Sequence, residues 1–335
     1  MTWPPANPIR FNPNDDPKVR AAVERSVRRL TSPFIDLESL HELAAAMTPT
    51  RRTRPMSRTI GTPGHVEATA TTGTSPPRRA RNRLSPMLVV PDVHAPYHHA
   101  DAWALMLDVA AELQPETIVV IGDFLDMYAV SSHSKDPSRI MRLEDELAIG
   151  KRLRGQLDAL DATRKIYLEG NHEDRLRRYL QEKAPELYGV VDVSSLLELD
   201  EYGWEFTPYR DHTRLGVVHY THDVGKTGRY STYQTLDQYQ HSVVFGHSHR
   251  LSYVVEGNAT GEAKVAAQFG WLGDVDQIDY MTRAKARKDW ALGFGIGFTD
   301  SQTGHTFLQP VPIVEQRCVV NGKLYKAPTR RRRAR

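Results

Sequence analysis

Between residues 87 and 249 the chain returns five times to one construction, a short β-branched run that stops on a polar cluster. The runs MLVVPDVH, ETIVVIGDFLD, RKIYLEGNHE, GVVHYTHD and SVVFGHSH end respectively on Asp92 and His94; Asp123 and Asp126; Asn171, His172 and Glu173; His219, His222 and Asp223; and His247 and His249. Runs this short match strands, and helical stretches at roughly 100–113 and 138–160 separate the first three. Strand, helix, strand, helix, strand predicts a parallel βαβ sheet with function at the carboxyl ends of its strands. The later runs GVVHYTH, SVVFGHSH, SYVVEG, KVAAQFG, GFGIGFTD and HTFLQPVPI have fewer helices between them and predict a second, partly antiparallel sheet. No internal repeat at a solenoid period is present.

This core does not need all 335 residues. The spacing predicts an N-terminal helical segment over 1–50, in which Asp15 or Asp16 caps, Pro17 opens the first turn, and Val19, Val23, Val27 and Leu30 share a face. A second amphipathic stretch, Ile35 to Met47, follows Ser32-Pro33. Residues 51–85 are Thr/Pro/Gly/Arg-rich and hold too little apolar surface to offset their ordering entropy, so they read as a basic flexible linker. Residues 86–326 are then one catalytic-sized domain, and 327–335 an Arg-rich tail.

Charge follows the same division. Residues 51–83 carry eight arginines against Glu67, and the last six residues carry five more, so these tracts hold +7 and +5 of a formal net charge of +3. The remainder is −9, an acidic body with basic appendages. No window approaches the roughly 18 apolar residues of a membrane span, and the N-terminus lacks the apolar core of a secretory signal. A single cysteine, Cys318, cannot make an internal disulfide or a cysteine-based zinc site, which fits a cytoplasmic setting.

The polar clusters offer carboxylate, imidazole and amide oxygen, without thiolate. In an extended chain residues i and i+2 point to one side, so Asp92 with His94, and His247 with His249, can each converge on one ion. Such a donor set suits Mn²⁺, Fe²⁺ or Zn²⁺ in a reactive site rather than a structural zinc finger. Each pair alone is a weak signal; five in series, each ending an apolar run, are a strong one.

The order D-x-H, G-D-x-x-D, G-N-H-E, a strand-end His and G-H-x-H across residues 92–249 resembles the calcineurin-like metallophosphoesterase superfamily. The flanking D-x-H-A-P-Y-H, G-D-F-L-D-M-Y, N-H-E-D-R-L-R-R-Y-L and the late V-P-I…G-K-x-Y extend the resemblance to bacteriophage-type and bacterial members over about 87–326. The resemblance implies an α/β (α+β) fold, a two-sheet β-sandwich flanked by helices. It implies two divalent metal ions, Mn²⁺ foremost with Fe²⁺, Zn²⁺ or Ni²⁺ as alternatives, about 3.5–4 Å apart. One would be held by Asp92, His94 and His249, the other by Asn171, His222 and His247, with Asp123 between them. A metal-activated hydroxide would attack the phosphate, His172 would protonate the leaving oxygen, and Asp126 would orient His172.

The fourth motif departs from the family's H-G, reading Thr221-His222-Asp223. His219 and His222 both compete for the ligand role; strand-end placement favours His222. Asp223 is either a partner behind the ligands or a turn residue. His98, His133 and Arg250 are candidate substrate contacts, with solvated loops and, for Arg250, a surface ion pair as the plainer readings. His99 shares the loop of His98, and Ser132 that of His133. Arg175, Arg177 and Arg178 read as a solvated helix face.

The resemblance implies phosphate-ester hydrolysis but leaves the substrate open, because one fold hosts many chemistries. Asp126-Met127-Tyr128 stands where Ser/Thr protein phosphatases carry D-R-G, and Asp126 takes the place of the ligating tyrosine of purple acid phosphatases. The arginine tracts favour nucleic acid or nucleotides through sequence-independent phosphate contacts, although no aromatics are interleaved with them. The expected activity is therefore phosphodiester hydrolysis, with phosphomonoesterase and a non-catalytic nucleic-acid-binding module as the alternatives. No membrane partner is expected, no oligomeric state is specified, and the setting is the cytoplasm, the host's for a phage-borne gene.

Overall fold

The structure, a computed structural model, describes residues 83–133, 135–136, 141–259, 261–277 and 289–327. The expected helical segment of residues 1–50, the linker as far as residue 82 and the tail beyond residue 327 lie outside the described residues.

The chain begins with β1 (Leu84–Val90), α1 (Ala100–Leu113), β2 (Thr117–Val120), α2 (Leu143–Asp158), β3 (Arg164–Leu168), α3 (Asp174–Lys183), α4 (Val193–Leu196) and β4 (Trp204–Thr207). It continues through β5 (Thr213–Leu215), β6 (Val218–Thr221), α5 (Ser231–Tyr239), β7 (Ser242–Phe245), β8 (Leu251–Gly257) and β9 (Ala263–Phe269). The last strands are β10 (Gly293–Asp300), β11 (Thr306–Pro312), β12 (Arg317–Val320) and β13 (Lys323–Lys326). The first sheet runs β11-β10-β1-β2-β3-β4 and the second β5-β6-β7-β9-β8, while β12 and β13 form a separate hairpin.

Strands β1 to β4 are mutually parallel, as the alternation with helices requires. Their period-two pattern sets the sandwich. Met87 and Val89, Val119 and Ile121, and Ile166 and Leu168 turn one face of the first sheet into a core shared with Leu215, Val218, Tyr220, Val244, Ala267 and Phe269 of the second. The alternate residues Leu88, Val90, Ile118 and Val120 are also fully buried, so the first sheet is covered on both faces. Each such aliphatic side chain contributes about 1.5–3 kcal/mol of burial. On α1, Ala102, Trp103, Leu105, Met106, Val109 and Ala110 form the buried helical face.

Two late strands lie elsewhere than expected. GFGIGFTD and HTFLQPVPI are β10 and β11, and they complete the first sheet: β10 pairs antiparallel with β1, and β11 with β10. The edge of β1 away from β2 would otherwise present unpaired backbone groups, and β10, buried along Gly293–Gly297, covers it. The second sheet is mixed as expected, with β6, β7 and β9 parallel and β5 and β8 antiparallel to their neighbours. The parallel strands of the two sheets bring the five polar clusters together beyond their carboxyl ends.

Candidate metal centre

Three groups of side chains converge there. Asp92, His94, Asp123 and His249 offer one atom each within 4.8 Å of one another, as do Asp123, His222 and His247, and His94, Asp126 and His172. Asp123 belongs to the first two groups, and the Oδ1 of Asn171 lies 3.0 Å from His222 Nε2 and 2.6 Å from His247 Nδ1. The loops that deliver these side chains are tightly wound. His94, Asp123, His247 and His249 all have positive φ, 52°, 48°, 68° and 57°, a conformation that costs non-glycine residues energy and concentrates at functional sites. Two motif glycines leave the necessary room. A Cβ on Gly170 would lie 2.1 Å from the Asp123 nitrogen, and one on Gly122, itself at φ 92°, would lie 2.5 Å from His222 Nδ1.

The donor set fits divalent metal. Ligands bound at about 2.0–2.2 Å stand roughly 3–3.5 Å apart around an octahedral or tetrahedral ion. The Nε2 atoms of His94 and His249 are 2.9 Å apart, and His249 Nε2 is 3.2 Å from Asp92 Oδ2. On the other side His222 Nε2 is 3.3 Å from Asp123 Oδ1. The Nδ1 of His222 is committed to the carbonyl of Ile121 at 2.7 Å, which leaves Nε2 as the atom it can offer to a metal. Both His94 and His249 keep a buried Nδ1 with no hydrogen-bond partner.

Charge gives the same answer. Asp92, Asp123 and Asp126 are all buried, and buried carboxylates need cations. Burial raises all three, but the imidazoles outweigh it: His249 lowers Asp92, His172 and His222 lower Asp123 well below the usual range, and His172 lowers Asp126. Conversely, burial pushes the His222 imidazolium down, yet Asp123 and Asp92 raise it to about 10. His94, where burial and the charge of His172 prevail over Asp126, is lowered. A proton on His222 thus balances carboxylates that a dication would balance better, and Nε2 would have to give up its proton to bind one.

His172 lies at the lip of this cluster. Its main-chain N–H donates to Asp123 Oδ1 at 2.9 Å, and its Nε2 faces Asp123 Oδ2 at 3.8 Å. The Asp126 group nearest its Nδ1 is the main-chain carbonyl at 3.0 Å, with the carboxylate 3.6 Å away. Burial lowers the His172 pKa, but Asp123 and Asp126 together raise it above the ordinary value.

Other expected positions divide. His222 is in the cluster, whereas His219 packs against His212 and His241 with ring centroids 5.0 and 5.6 Å away. Asp223 accepts from Tyr209 Oη at 2.8 Å and the Gly225 N–H at 2.7 Å, pinning the loop after His222. His99 caps α1, accepting from the Ala102 N–H. His98 packs near Trp103, His133 and Ser132 are exposed, and Arg250 forms a bidentate pair with Asp289. The solvated-face expectation fails for Arg175, which turns inward onto Asp126 and His172, while Arg177 and Arg178 bind Asp174. Its signal was its position three residues after His172, one helical turn away.

Sequence reasoning also passed over two supports. Trp271 stacks on the His249 ring at 4.8 Å and 9°, and Trp290 meets it edge-on at 4.3 Å, so this imidazole has little room to rotate. Glu146 accepts the Met127 N–H behind Asp126. Burial, joined by the charge of Asp126, raises its carboxyl to about 8 from 4.5. The folded chain therefore holds this proton more tightly than the unfolded chain. The stability it contributes is complete below pH 4.5 and is lost as pH rises through 8. Glu146→Gln keeps a carbonyl for Met127 and cannot ionise. In calorimetric melts from pH 5 to 9 the variant should gain on the wild type as pH rises, by about 2–4 kcal/mol in all. A difference in melting temperature that is flat with pH contradicts the raised carboxyl.

The family model for calcineurin-like phosphoesterases matches residues 85–267, which hold all five polar clusters. The Gene 54 proteins of Mycobacterium phages L5 and D29 are each 26% identical, over 263 and 259 residues, covering 72% of this chain and 98% of each relative. Among solved structures, Vacuolar Protein Sorting 29 of Cryptosporidium parvum superposes with a TM-score of 0.39 at 13% identity, covering 72% of this chain and 95% of that one. The E. coli phosphoesterase Yfce gives 0.32 at 12% identity, with 65% and 94% covered. Among the described residues no helix is long and apolar enough to cross a membrane. With its motif order, its two-sheet fold and its cluster of buried Asp and His side chains, the chain belongs to the calcineurin-like phosphoesterase family.

Proposed function

We propose that this protein is a dinuclear metal-dependent phosphodiesterase acting on nucleic acid or nucleotides. The observation that carries the reading is the convergence of Asp92, His94, Asp123, His222, His247 and His249 in two groups that share Asp123. Asp92, His94 and His249 would hold one ion and Asn171, His222 and His247 the other, with Mn²⁺ the first candidate. Such a pair, when bound, supplies Lewis-acid charge at the phosphate and lowers the pKa of water.

The chain's own residues do the rest. Asp123 supplies negative charge to both groups and, through Oδ1, fixes the main chain at His172. His172 presents Nε2 toward the cluster, where it is placed to give a proton to the departing oxygen. The Asp126 carbonyl accepts from Nδ1 and so sets the ring's orientation. On the His249 side the wall is apolar: buried Trp271 stacks on that ring, which strengthens the charge interactions beside it. The preference for a polymeric or nucleotide diester rests on the +7 and +5 arginine tracts, which suit polyanions.

The test is a Mn²⁺-supplemented panel of bis-p-nitrophenyl phosphate, p-nitrophenyl phosphate, cyclic nucleotides, and single- and double-stranded DNA. Diesters should be cleaved and a chelator should abolish turnover. Cleavage of the monoester with every diester intact makes the protein a phosphomonoesterase. Replacing the arginines of residues 51–81 and 330–335 by glutamine should weaken DNA binding at low salt and flatten its salt dependence. An unchanged salt slope removes nucleic acid as the tracts' partner.

A further inference from the structure

Arg175 differs from every other arginine near the centre in what holds it. Arg177 and Arg178 rest on the Asp174 carboxylate at 2.6 and 2.9 Å, and Arg250 on Asp289. Arg175 has no such full partner. Its Nη1 donates to the Asp126 carbonyl at 2.8 Å and, at a longer 3.3 Å, to Asp126 Oδ1. Its Nη2 donates to His172 Nε2 at 2.9 Å. The side chain is mostly buried, with 14% exposed, so it is not a solvated arm.

The direction of that last bond matters. A guanidinium only donates, so His172 Nε2 must receive with its lone pair, and the ring's hydrogen sits on Nδ1 against the Asp126 carbonyl. The nitrogen thus covered is the one that faces Asp123 and the candidate metal groups. A neutral imidazole nitrogen is a modest acceptor for a guanidinium. A phosphoryl oxygen carries charge and matches the planar fork, and is the stronger partner. A phosphate ester seated among the candidate ligands therefore competes for Nη2, at a point where the arginine has little to lose.

We propose that Arg175 is a substrate-binding residue of this site. Its Nη2 leaves His172 Nε2 for a non-bridging oxygen of the phosphate ester while Nη1 stays on Asp126. This rests on the phosphoesterase reading above. One exchange then does two things: it adds a cation to the phosphate, and it uncovers His172 Nε2 so that a proton from solvent can reach it before it serves the departing oxygen. In the free protein the same contact keeps Nε2 covered.

The experiment uses the full chain loaded with diamagnetic Zn²⁺ and inorganic phosphate as the probe. Calorimetry should find phosphate bound about 10- to 100-fold more weakly by Arg175→Ala, with Arg175→Lys between the two because it keeps charge without the fork. In ¹⁵N spectra of the imidazoles, wild-type His172 should show the Nδ1–H form with Nε2 hydrogen-bonded. Adding phosphate should move its Nε2 signal toward the position it has in phosphate-free Arg175→Ala. Phosphate affinity within twofold of wild type in Arg175→Ala, or a wild-type Nε2 signal that ignores phosphate, overturns the inference, even where the variant melts at a lower temperature. Turnover of bis-p-nitrophenyl phosphate with Mn²⁺ separates this from the reading beneath it. If wild type cleaves no ester yet Arg175→Ala still loses phosphate, the phosphoesterase reading falls and the anion contact stands. If wild type cleaves and Arg175→Ala keeps both kcat and KM, the contact falls alone.

Discussion

Asp123→Asn is expected to abolish most turnover while leaving the fold in place. The substitution conserves shape, and an asparagine Oδ1 still accepts the His172 N–H that Asp123 Oδ1 accepts at 2.9 Å. What it removes is one negative charge from the only carboxylate shared by the two convergent groups, 3.3 Å from His222 Nε2 and 3.9 Å from His94 Nε2. That charge attracts cations to both groups. Its burial makes it count for far more than a surface carboxylate would. Metal analysis of protein equilibrated with Mn²⁺ should fall from two ions per chain to one or none. The kcat/KM for a diester should drop by about 10²–10³-fold or more. Circular dichroism and the cooperativity of unfolding should stay those of the wild type. An Asp123→Asn protein that binds two ions and turns over within tenfold of wild type removes Asp123 from the bridging position. It would take the dinuclear reading with it.

What the sequence could and could not disclose follows from which interactions are local. The candidate ligands were legible because strand period and strand ends are short-range properties: Asp92 and His94 follow β1, Asp123 follows β2, and Asn171 follows β3. His222 could be preferred over His219 for the same reason, since β6 ends at Thr221 and His222 is the first residue past it. The sheet to which β10 and β11 belong was not legible. Their runs say strand, but the choice between sheets depends on the open edge of β1, some 200 residues earlier in the chain. Arg175 was misread because a run of arginines on a helix looks alike on every side. Only the position of Asp126, carried by another strand's loop, decides which of them turns inward. The main-chain carbonyl of Asp126 was likewise invisible, because a motif names side chains and the structure put a backbone atom nearest the imidazole.

Glu173→Gln should weaken the fold and the metal centre together. Glu173 is fully buried, and its carboxylate accepts four hydrogen bonds. Oε2 takes the N–H groups of Asp123 at 3.0 Å and Gly170 at 2.9 Å, and Oε1 takes Leu125 N–H at 2.8 Å and Tyr167 Oη at 2.9 Å. One side chain therefore joins the loop after β2 to the loop after β3, the two that carry Asp123 and Asn171. Burial and the charge of Asp123 raise its pKa, opposed by the hydrogen bonds from Leu125 and Tyr167. A glutamine cannot satisfy this arrangement in either orientation. With its amide nitrogen in place of Oε2, it faces two N–H donors. With the nitrogen in place of Oε1, Tyr167 can rotate its hydroxyl to accept, but Leu125 N–H is left unpaired. The better choice strands one buried donor and the worse strands two, each worth about 1–3 kcal/mol. A loss of about 1–3 kcal/mol lowers the melting temperature by about 2–12 °C in a domain of this size. Because the unpaired groups sit at Asp123 and Gly170, or beside them at Leu125, metal affinity should fall together with stability. Titrating Mn²⁺ into the folded variant below its transition should show this as a rightward shift in both binding steps. A variant that melts within 2 °C of the wild type and binds Mn²⁺ equally well shows that the four bonds are not what fixes these loops. The loop that carries Asp123, itself at positive φ, would then have to be held by its other bonds, among them those from the Val93 and His94 N–H groups to the Asp123 carbonyl.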